Sequence, residues 1–207
     1  ADEHIPAIVE AWQLGTQSGN AIAQVLYGDY NPSGKLPMTF PRNVAQVPIY
    51  YNHKNTGRPS SNEPESVFWS HYIDEKNAPL YPFGYGLSYS KFDYSDLKLS
   101  SPSFTTNGKI EVSVTVTNSG KVAGKEVVQM YIRDLFASVT RPVLELKGFE
   151  MIELQPNESK KVVFTIDEKT IEFYTANAKW EAEAGDFKVF VGGSSAQTLQ
   201  ADFQFAQ

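Results

Sequence analysis

Apolar and polar positions alternate with period two over much of the second half of the chain. Between residues 109 and 117, Ile110, Val112, Val114 and Val116 share one face, and Glu111, Ser113, Thr115 and Thr117 share the other. The same alternation groups Val128, Met130 and Ile132, then Val162, Phe164 and Ile166, then Phe187, Val189 and Val191. Leu97 and Leu99 open the series, and Phe203 and Phe205 close it. Successive side chains of a strand point to opposite faces, so each run predicts a strand with one buried side. Turn-forming residues separate the runs: Asn107-Gly108, Asn118-Ser119-Gly120, Gln155-Pro156-Asn157, Ala184-Gly185-Asp186 and Gly192-Gly193. About seven such strands in roughly 115 residues predict an immunoglobulin-like β-sandwich. With no cysteine in the chain, the pattern points to the fibronectin type III-like form rather than the disulfide-bridged one.

The first 55 residues follow a different pattern. Ala7-Ile8-Val9-Glu10-Ala11-Trp12 is a short apolar run, which predicts a buried strand. Ala21, Ile22, Val25 and Leu26 form the stripe of a helix over 19–27, with Thr16 or Ser18 as the N-cap and Gly28 as the C-cap. In Leu36-Pro37-Met38-Thr39-Phe40-Pro41 the prolines exclude helix and predict extended chain. One strand–helix–strand unit cannot cover both faces of a parallel strand, so this segment reads as the cut end of a larger sheet. Residues 56–90 carry Gly57, Pro59, Pro64, Pro79, Pro82, Gly84 and Gly86 with little periodicity, which predicts a long connector. The expected organisation is mainly β: a partial α/β segment over 1–55, a connector over 56–90 and the sandwich over 91–207.

Composition narrows the chemistry. The chain has 207 residues, 41% of them hydrophobic and 20% charged, which predicts a packed core. A net charge of −6 argues against nucleic acid as a partner, since phosphate neutralisation needs a basic surface. No apolar stretch approaches the roughly 20 residues that span a bilayer, and the first residues do not read as a signal peptide. Five residues separate Gly28 from Gly34, and Leu36 follows Lys35, so the phosphate-loop pattern is not met. His4, His53 and His71 lack metal-ligand spacing. Glycosidases need two facing carboxyls, but Asp74-Glu75 and Glu181 with Glu183 read as solvated surface charge. Asn157-Glu158-Ser159 fits a glycosylation triplet in a turn. No catalytic residue, metal site or cofactor is expected. The most unusual stretch is aromatic: Val67-Phe68-Trp69-Ser70-His71-Tyr72-Ile73-Asp74, then Leu80-Tyr81-Pro82-Phe83-Gly84-Tyr85-Gly86-Leu87-Ser88-Tyr89. It reads first as adhesive between two domains and second as a surface on which sugar rings could stack.

Several segments, in order along the chain, carry a family resemblance. Gly19-Asn20-Ala21-Ile22-Ala23 with Val25-Leu26-Tyr27-Gly28-Asp29-Tyr30-Asn31-Pro32-Ser33-Gly34-Lys35-Leu36-Pro37 resembles the end of the α/β-sandwich domain of family 3 glycoside hydrolases. Pro48-Ile49-Tyr50-Tyr51-Asn52-His53-Lys54-Asn55-Thr56-Gly57-Arg58-Pro59 resembles the loop that follows it in bacterial periplasmic β-glucosidases. The 80–89 stretch, Val127-Val128-Gln129-Met130-Tyr131, Arg141-Pro142 and Leu146-Lys147-Gly148-Phe149 are similar to that family's fibronectin-like domain. The chain departs from the family pattern at Gln13-Leu14, between Trp12 and Gly15, and at His71, where an arginine is usual.

The resemblance implies a non-catalytic C-terminal portion of a retaining β-glucosidase, supporting catalytic domains that lie elsewhere. Its implied partners are an N-terminal barrel, the rest of the α/β domain and a β-glucoside substrate, in a periplasmic or secreted setting. It makes Arg58, Tyr72 and Asp74 candidates for substrate-side roles. The alternative is a stand-alone carbohydrate-binding or interaction module. The unfinished α/β segment predicts exposed apolar surface and, with it, self-association or dependence on a partner.

Overall fold

The structure is a computed structural model that describes residues 2–59 and 68–207. Pro64 and Val67 of the connector lie outside the described residues.

A single 3-10 turn, Gly15–Gln17, leads into helix α1, Ser18–Tyr27. Gly28 ends α1 at φ 82, and its N–H donates to the Val25 carbonyl, as expected of a glycine C-cap. The N-terminus differs from the expectation: Gln17 is the N-cap and makes no side-chain capping bond. The preceding 3-10 turn continues into α1, so neither Thr16 nor Ser18 is left at the boundary to cap it.

Two larger expectations fail here. Residues 7–12 form no strand, and Ile8 and Val9 are 54% and 52% exposed. A parallel strand needs hydrogen-bonded neighbours on its flanks, and none of the described residues pairs with this run. The α1 stripe is likewise unburied, with Ile22 and Leu26 exposed and no residue of the helix buried.

From Phe92 on, the chain is a sandwich. Its strands are β1 (Phe92–Leu99), β2 (Ser103–Thr105), β3 (Lys109–Asn118), β4 (Gly124–Asp134), β5 (Glu145–Leu154) and β6 (Ser159–Asp167). The one-turn helix α2 (Glu168–Ile171), closed by an Asp167–Thr170 capping box, precedes β7 (Phe173–Tyr174), β8 (Trp180–Glu181), β9 (Gly185–Ser194) and β10 (Gln197–Ala206). One sheet runs β1-β3-β6, the facing sheet runs β2-β10-β9-β4-β5, and β7 and β8 form a separate hairpin. All contacts in the first sheet are antiparallel, and β2 lies parallel to β10 in the second.

The core is where the alternation predicts it. Ile110, Val112, Val114 and Val116 of β3 are buried against Val128, Met130 and Ile132 of β4, Val189 and Val191 of β9, and Phe203 and Phe205 of β10. Each such side chain contributes about 1.5–3 kcal/mol of burial free energy. Asn107 and Asn157 take positive φ (63 each), as the turn reading of those asparagines requires. In β1 a bulge between Ser95 and Lys98, with Asp96 at φ 54, resets the register so that Leu97 and Leu99 still reach the core.

Candidate functional site

The outer face of β4 is what distinguishes this sandwich from a free-standing one. Gln129 and Tyr131 point away from the core, yet both are buried, because residues 31–54 and 78–89 lie over them. Tyr51 and Phe83 stack at 4.2 Å, and each meets the Tyr131 ring edge-on, at 5.9 and 6.5 Å. Burial under this pair pushes the Tyr131 phenol well above its ordinary range, and the Tyr51 phenol adds to the shift. The Tyr131 hydroxyl donates to Gln129 Oε1, and Gln129 Nε2 donates to the carbonyls of Gly84 (3.2 Å) and Gly193 (2.7 Å). Gly84 has φ 78, and a Cβ there would lie 2.1 Å from Gln129 Oε1, so any other residue would be strained and would displace the Gln129 amide.

Two extended segments pair above that contact. Leu36 N–H donates to the Tyr85 carbonyl, and Gly84 N–H donates to the Leu36 carbonyl, both at 2.8 Å. Phe40 and Tyr81 form an isolated antiparallel bridge further along. Asn31 joins three regions: its Oδ1 accepts from the Ser88 hydroxyl (2.9 Å) and Tyr89 N–H (2.8 Å), and its Nδ2 donates to the Ala123 carbonyl (2.9 Å). Beneath it lies an ion pair of Lys35 Nζ and Glu126 Oε2 at 3.0 Å, with side chains 14% and 6% exposed. Tyr94 donates its hydroxyl to Glu126 Oε1 at 2.8 Å, and burial raises its pKa strongly, reinforced by the Glu126 charge.

A second strap joins residues 51–54 to the loop between β4 and β5. Val143 N–H donates to the His53 carbonyl at 2.9 Å, Lys54 bridges to Pro142, and Leu146 N–H donates to the Tyr51 hydroxyl. Arg141 anchors that loop, with its guanidinium 4.3 Å over the Phe173 ring and Nη2 2.6 Å from Glu145 Oε2. Its Nε is buried, has no hydrogen-bond partner among the described residues and sits 4.0 Å from Asp134 Oδ2. The Asp134 side chain is 6% exposed. Its burial outweighs the pull of Arg141 and lifts its pKa to about 6, with Glu183 and Glu145 adding repulsion. The Arg141-Pro142 pair was legible in the sequence, but its buried carboxylate partner was not.

The three candidate substrate-side residues each have their own surroundings. Arg58 is exposed, lies 5.6 Å over the Phe68 ring and accepts the Ser70 N–H on its carbonyl; with Gly57, Phe68 and Trp69 it lines a shallow open concavity. Tyr72 is held by its backbone N–H to Asn77 Oδ1 (3.1 Å), and Asp74 is exposed. Among the described residues no hydrogen bond or ion pair joins Arg58, Tyr72 and Asp74 to one another. The carboxylate pairs serve local structure. Glu75 faces Arg42 at 3.8 Å, Glu181 accepts from the Thr175 hydroxyl, and Glu183 accepts from both the N–H and the hydroxyl of Ser138, which lowers its pKa. Among the described residues no group of three or more acidic or histidine side chains could hold a metal ion.

Residues 1–89 match the glycosyl hydrolase family 3 C-terminal domain, and residues 126–195 match the fibronectin type III-like domain. The chain belongs to glycosyl hydrolase family 3.

Over 98% of its length it is 54% identical to a periplasmic beta-glucosidase of Salmonella typhimurium, and it covers 26% of that protein. It is 44% identical to a putative beta-xylosidase of Formosa agariphila, covering 98% of this chain and 25% of that one. The crystal structure of a beta-glucosidase from Listeria innocua in complex with gluconolactone superposes with a TM-score of 0.91 at 42% identity, over 96% of this chain and 27% of that one. The chain thus spans about a quarter of the length of the relatives it matches.

Proposed function

We propose that this chain is the C-terminal, non-catalytic portion of a β-glucosidase that acts by a retaining mechanism. On this reading residues 1–55 end an α/β-sandwich domain, 56–90 connect, and 91–207 form the fibronectin type III-like domain. A retaining glycosidase needs two carboxyls about 5–5.5 Å apart across the sugar bond. Glu75, Glu126, Asp134, Glu145, Glu181 and Glu183 are instead committed to basic side chains, hydroxyls or backbone amides, which supports a supporting rather than a reacting role. The observation that carries the proposal is the sealed junction: the Lys35–Glu126 pair and the Tyr51–Phe83–Tyr131 cluster join residues 35–51 and the connector to the sandwich.

The apolar side chains that α1 and residues 5–14 leave exposed fit against the remainder of the α/β domain and an N-terminal barrel, the partners proposed here. Arg58, Tyr72 and Asp74 are proposed to face the substrate side of that assembly, with Arg58 and the rings of Phe68 and Trp69 at its rim. The setting proposed is periplasmic or secreted, in keeping with the name of the Salmonella relative. Among the described residues no helix is long and apolar enough to cross a membrane.

The test is turnover of an aryl β-glucoside by this chain and by a longer chain carrying a barrel ahead of it. The expected result is activity in the longer chain alone. Turnover by the 207-residue chain would overturn the division of labour. Turnover of an aryl β-xyloside but not the glucoside by the longer chain would overturn the substrate.

A further inference from the structure

Among the described residues, three carboxyls surround the guanidinium that anchors the β4–β5 loop, and they are not equally served. Glu145 takes Arg141 Nη2 at 2.6 Å and has Lys147 Nζ at 4.0 Å. Glu183 accepts the N–H and the hydroxyl of Ser138. Asp134 Oδ1 accepts the Phe136 N–H at 3.2 Å, while its Oδ2 faces Arg141 Nε across 4.0 Å, too far for a hydrogen bond. Asp134 is also the most enclosed of the three: its side chain is 6% exposed against 26% for Glu145, and Glu183 is only half-buried. One positive charge does not balance three negative ones in a closed space, so the carboxyl with the weakest partners holds a proton most readily. Burial raises the Asp134 pKa to about 6 against the pull of Arg141, and the Glu183 and Glu145 charges add to the rise. From the other packed elements, β9 faces Asp134 with Phe187, and the 51–54 strap brings His53 and Lys54 to the loop.

The observed geometry is that of the neutral group. A buried carboxylate beside a buried guanidinium N–H that lacks a partner would close on it, because a charge-assisted N–H···O bond is about 2.7–2.9 Å long. From 4.0 Å that is a movement of roughly 1 Å. Arg141 does not make it alone. Its Nη2 is held by Glu145 and its plane lies 4.3 Å over the Phe173 ring, so the loop backbone moves with the side chain. The next two residues are the ones that hold the strap: Pro142 bridges to Lys54, and Val143 N–H donates to the His53 carbonyl at 2.9 Å. We propose that Asp134 is a proton-operated latch on this strap: while neutral it leaves Arg141 Nε unbonded, and on releasing its proton to solvent it draws that N–H across the gap and shifts Pro142 and Val143 against the backbone of residues 53–54. The connector begins directly after those residues, so the latch acts where the chain leaves the sandwich. The proposal rests on the cluster and the strap, not on the β-glucosidase reading.

The experiment is a pH titration of the 207-residue chain by NMR, from about pH 4.5 to 7.5. It follows the Asp134 carboxyl carbon, the Arg141 Nε–H and the Val143 N–H. All three are expected to move with one shared midpoint at about pH 6, and Asp134→Asn is expected to hold the Arg141 and Val143 signals still. Glu183→Gln keeps an acceptor oxygen for Ser138 but removes a like charge, so it is expected to shift the shared midpoint to lower pH. Unchanged amide signals along β3 and β9 show that the variants are folded. An Asp134 carboxyl that titrates in the ordinary carboxylate range, or a Val143 signal that stays flat while Asp134 titrates, overturns the proposal. Movement of the Val143 signal that survives Asp134→Asn and disappears in His53→Gln places the proton on the strap's histidine and overturns it equally.

Discussion

Lys35→Met is the sharpest test of whether the α/β end and the sandwich form one body. Lys35 Nζ lies 3.0 Å from Glu126 Oε2, with Lys35 14% and Glu126 6% exposed. At an effective dielectric of about 20 the attraction at that separation is roughly 5 kcal/mol, offset by the cost of drying both ions. Removing one partner from such a pair costs about 3–5 kcal/mol, because a charge is left buried and unpaired. Lys35 keeps some contact with solvent, so about 3 kcal/mol is the expected loss for Lys35→Met. Glu126→Gln is expected to lose less, about 2 kcal/mol, since its amide oxygen still accepts from Tyr94. In Lys35→Met with Glu126→Gln neither charge remains, so the double variant recovers part of the loss and the coupling is expected to exceed about 1.5 kcal/mol. Urea unfolding of the four proteins, followed by tyrosine and tryptophan fluorescence, measures each corner of the cycle. Single losses below about 0.5 kcal/mol that simply add would show that the pair contributes nothing to docking, and the rigid-junction argument would fall with it.

Two further outcomes are expected. Asp134 carries a folded-state pKa raised to about 6, so the fold binds its proton more tightly than the unfolded chain does. Its contribution to stability is therefore greatest below about pH 4, falls by about 1–3 kcal/mol as the pH rises to about 6, and is flat above. Asp134→Asn is expected to remove that slope and to be more stable than wild type at pH 7; urea midpoints across pH 4.5 to 7.5 that move in parallel for both proteins would contradict it. Gly84→Ala would set a Cβ 2.1 Å from Gln129 Oε1 at φ 78, straining the backbone and breaking the Gln129 amide contacts. A loss of about 2–4 kcal/mol in thermal or urea unfolding is expected, and a loss under about 0.5 kcal/mol would mean that the connector is not pinned there.

Where burial is decided within a strand pair, the amino-acid pattern was readable. The β3 stripe of Ile110, Val112, Val114 and Val116 faces the core because each strand beside it presents its own apolar face inward, and period two is then a direct record of packing. β5 escaped the same reading. A register shift between Met130 and Tyr131 of β4 opposes it, and its exposed face carries Phe149 and Met151 while Ile152 and Leu154 turn inward. Apolar residues of both parities blur the period, so nothing marked the run as half-buried. The junction was legible only as an excess of aromatics over 80–89. That Tyr131 and Gln129 would be buried from the outer side could not be read from β4, whose outward positions look like any edge of a sandwich. The pairing of Asp134 with Arg141 was hidden for a related reason, since a carboxylate buried by a distant loop carries no local signature.

The failures at residues 7–12 and along α1 have the opposite origin and bear directly on function. Ile8, Val9, Ile22 and Leu26 follow the pattern of a packed α/β unit, and the pattern is not met by anything in the described chain. A sequence pattern records the surface a segment is built to meet, whether or not that surface is present. The helix is nonetheless tethered near its C-terminal end, where Tyr89 of the connector donates its hydroxyl to the Val25 carbonyl and Asn31, shortly after α1, binds Ser88 and, on the sandwich, Ala123. A helix tethered at its C-terminal end, with apolar side chains left open, is the arrangement of a coupling element. A sandwich held this firmly transmits its position to whatever packs on α1, so in the β-glucosidase proposed here the fibronectin-like domain would act as a rigid brace for the α/β domain. Loosening Lys35–Glu126 would then lower the activity of that longer enzyme through the α/β domain that α1 belongs to.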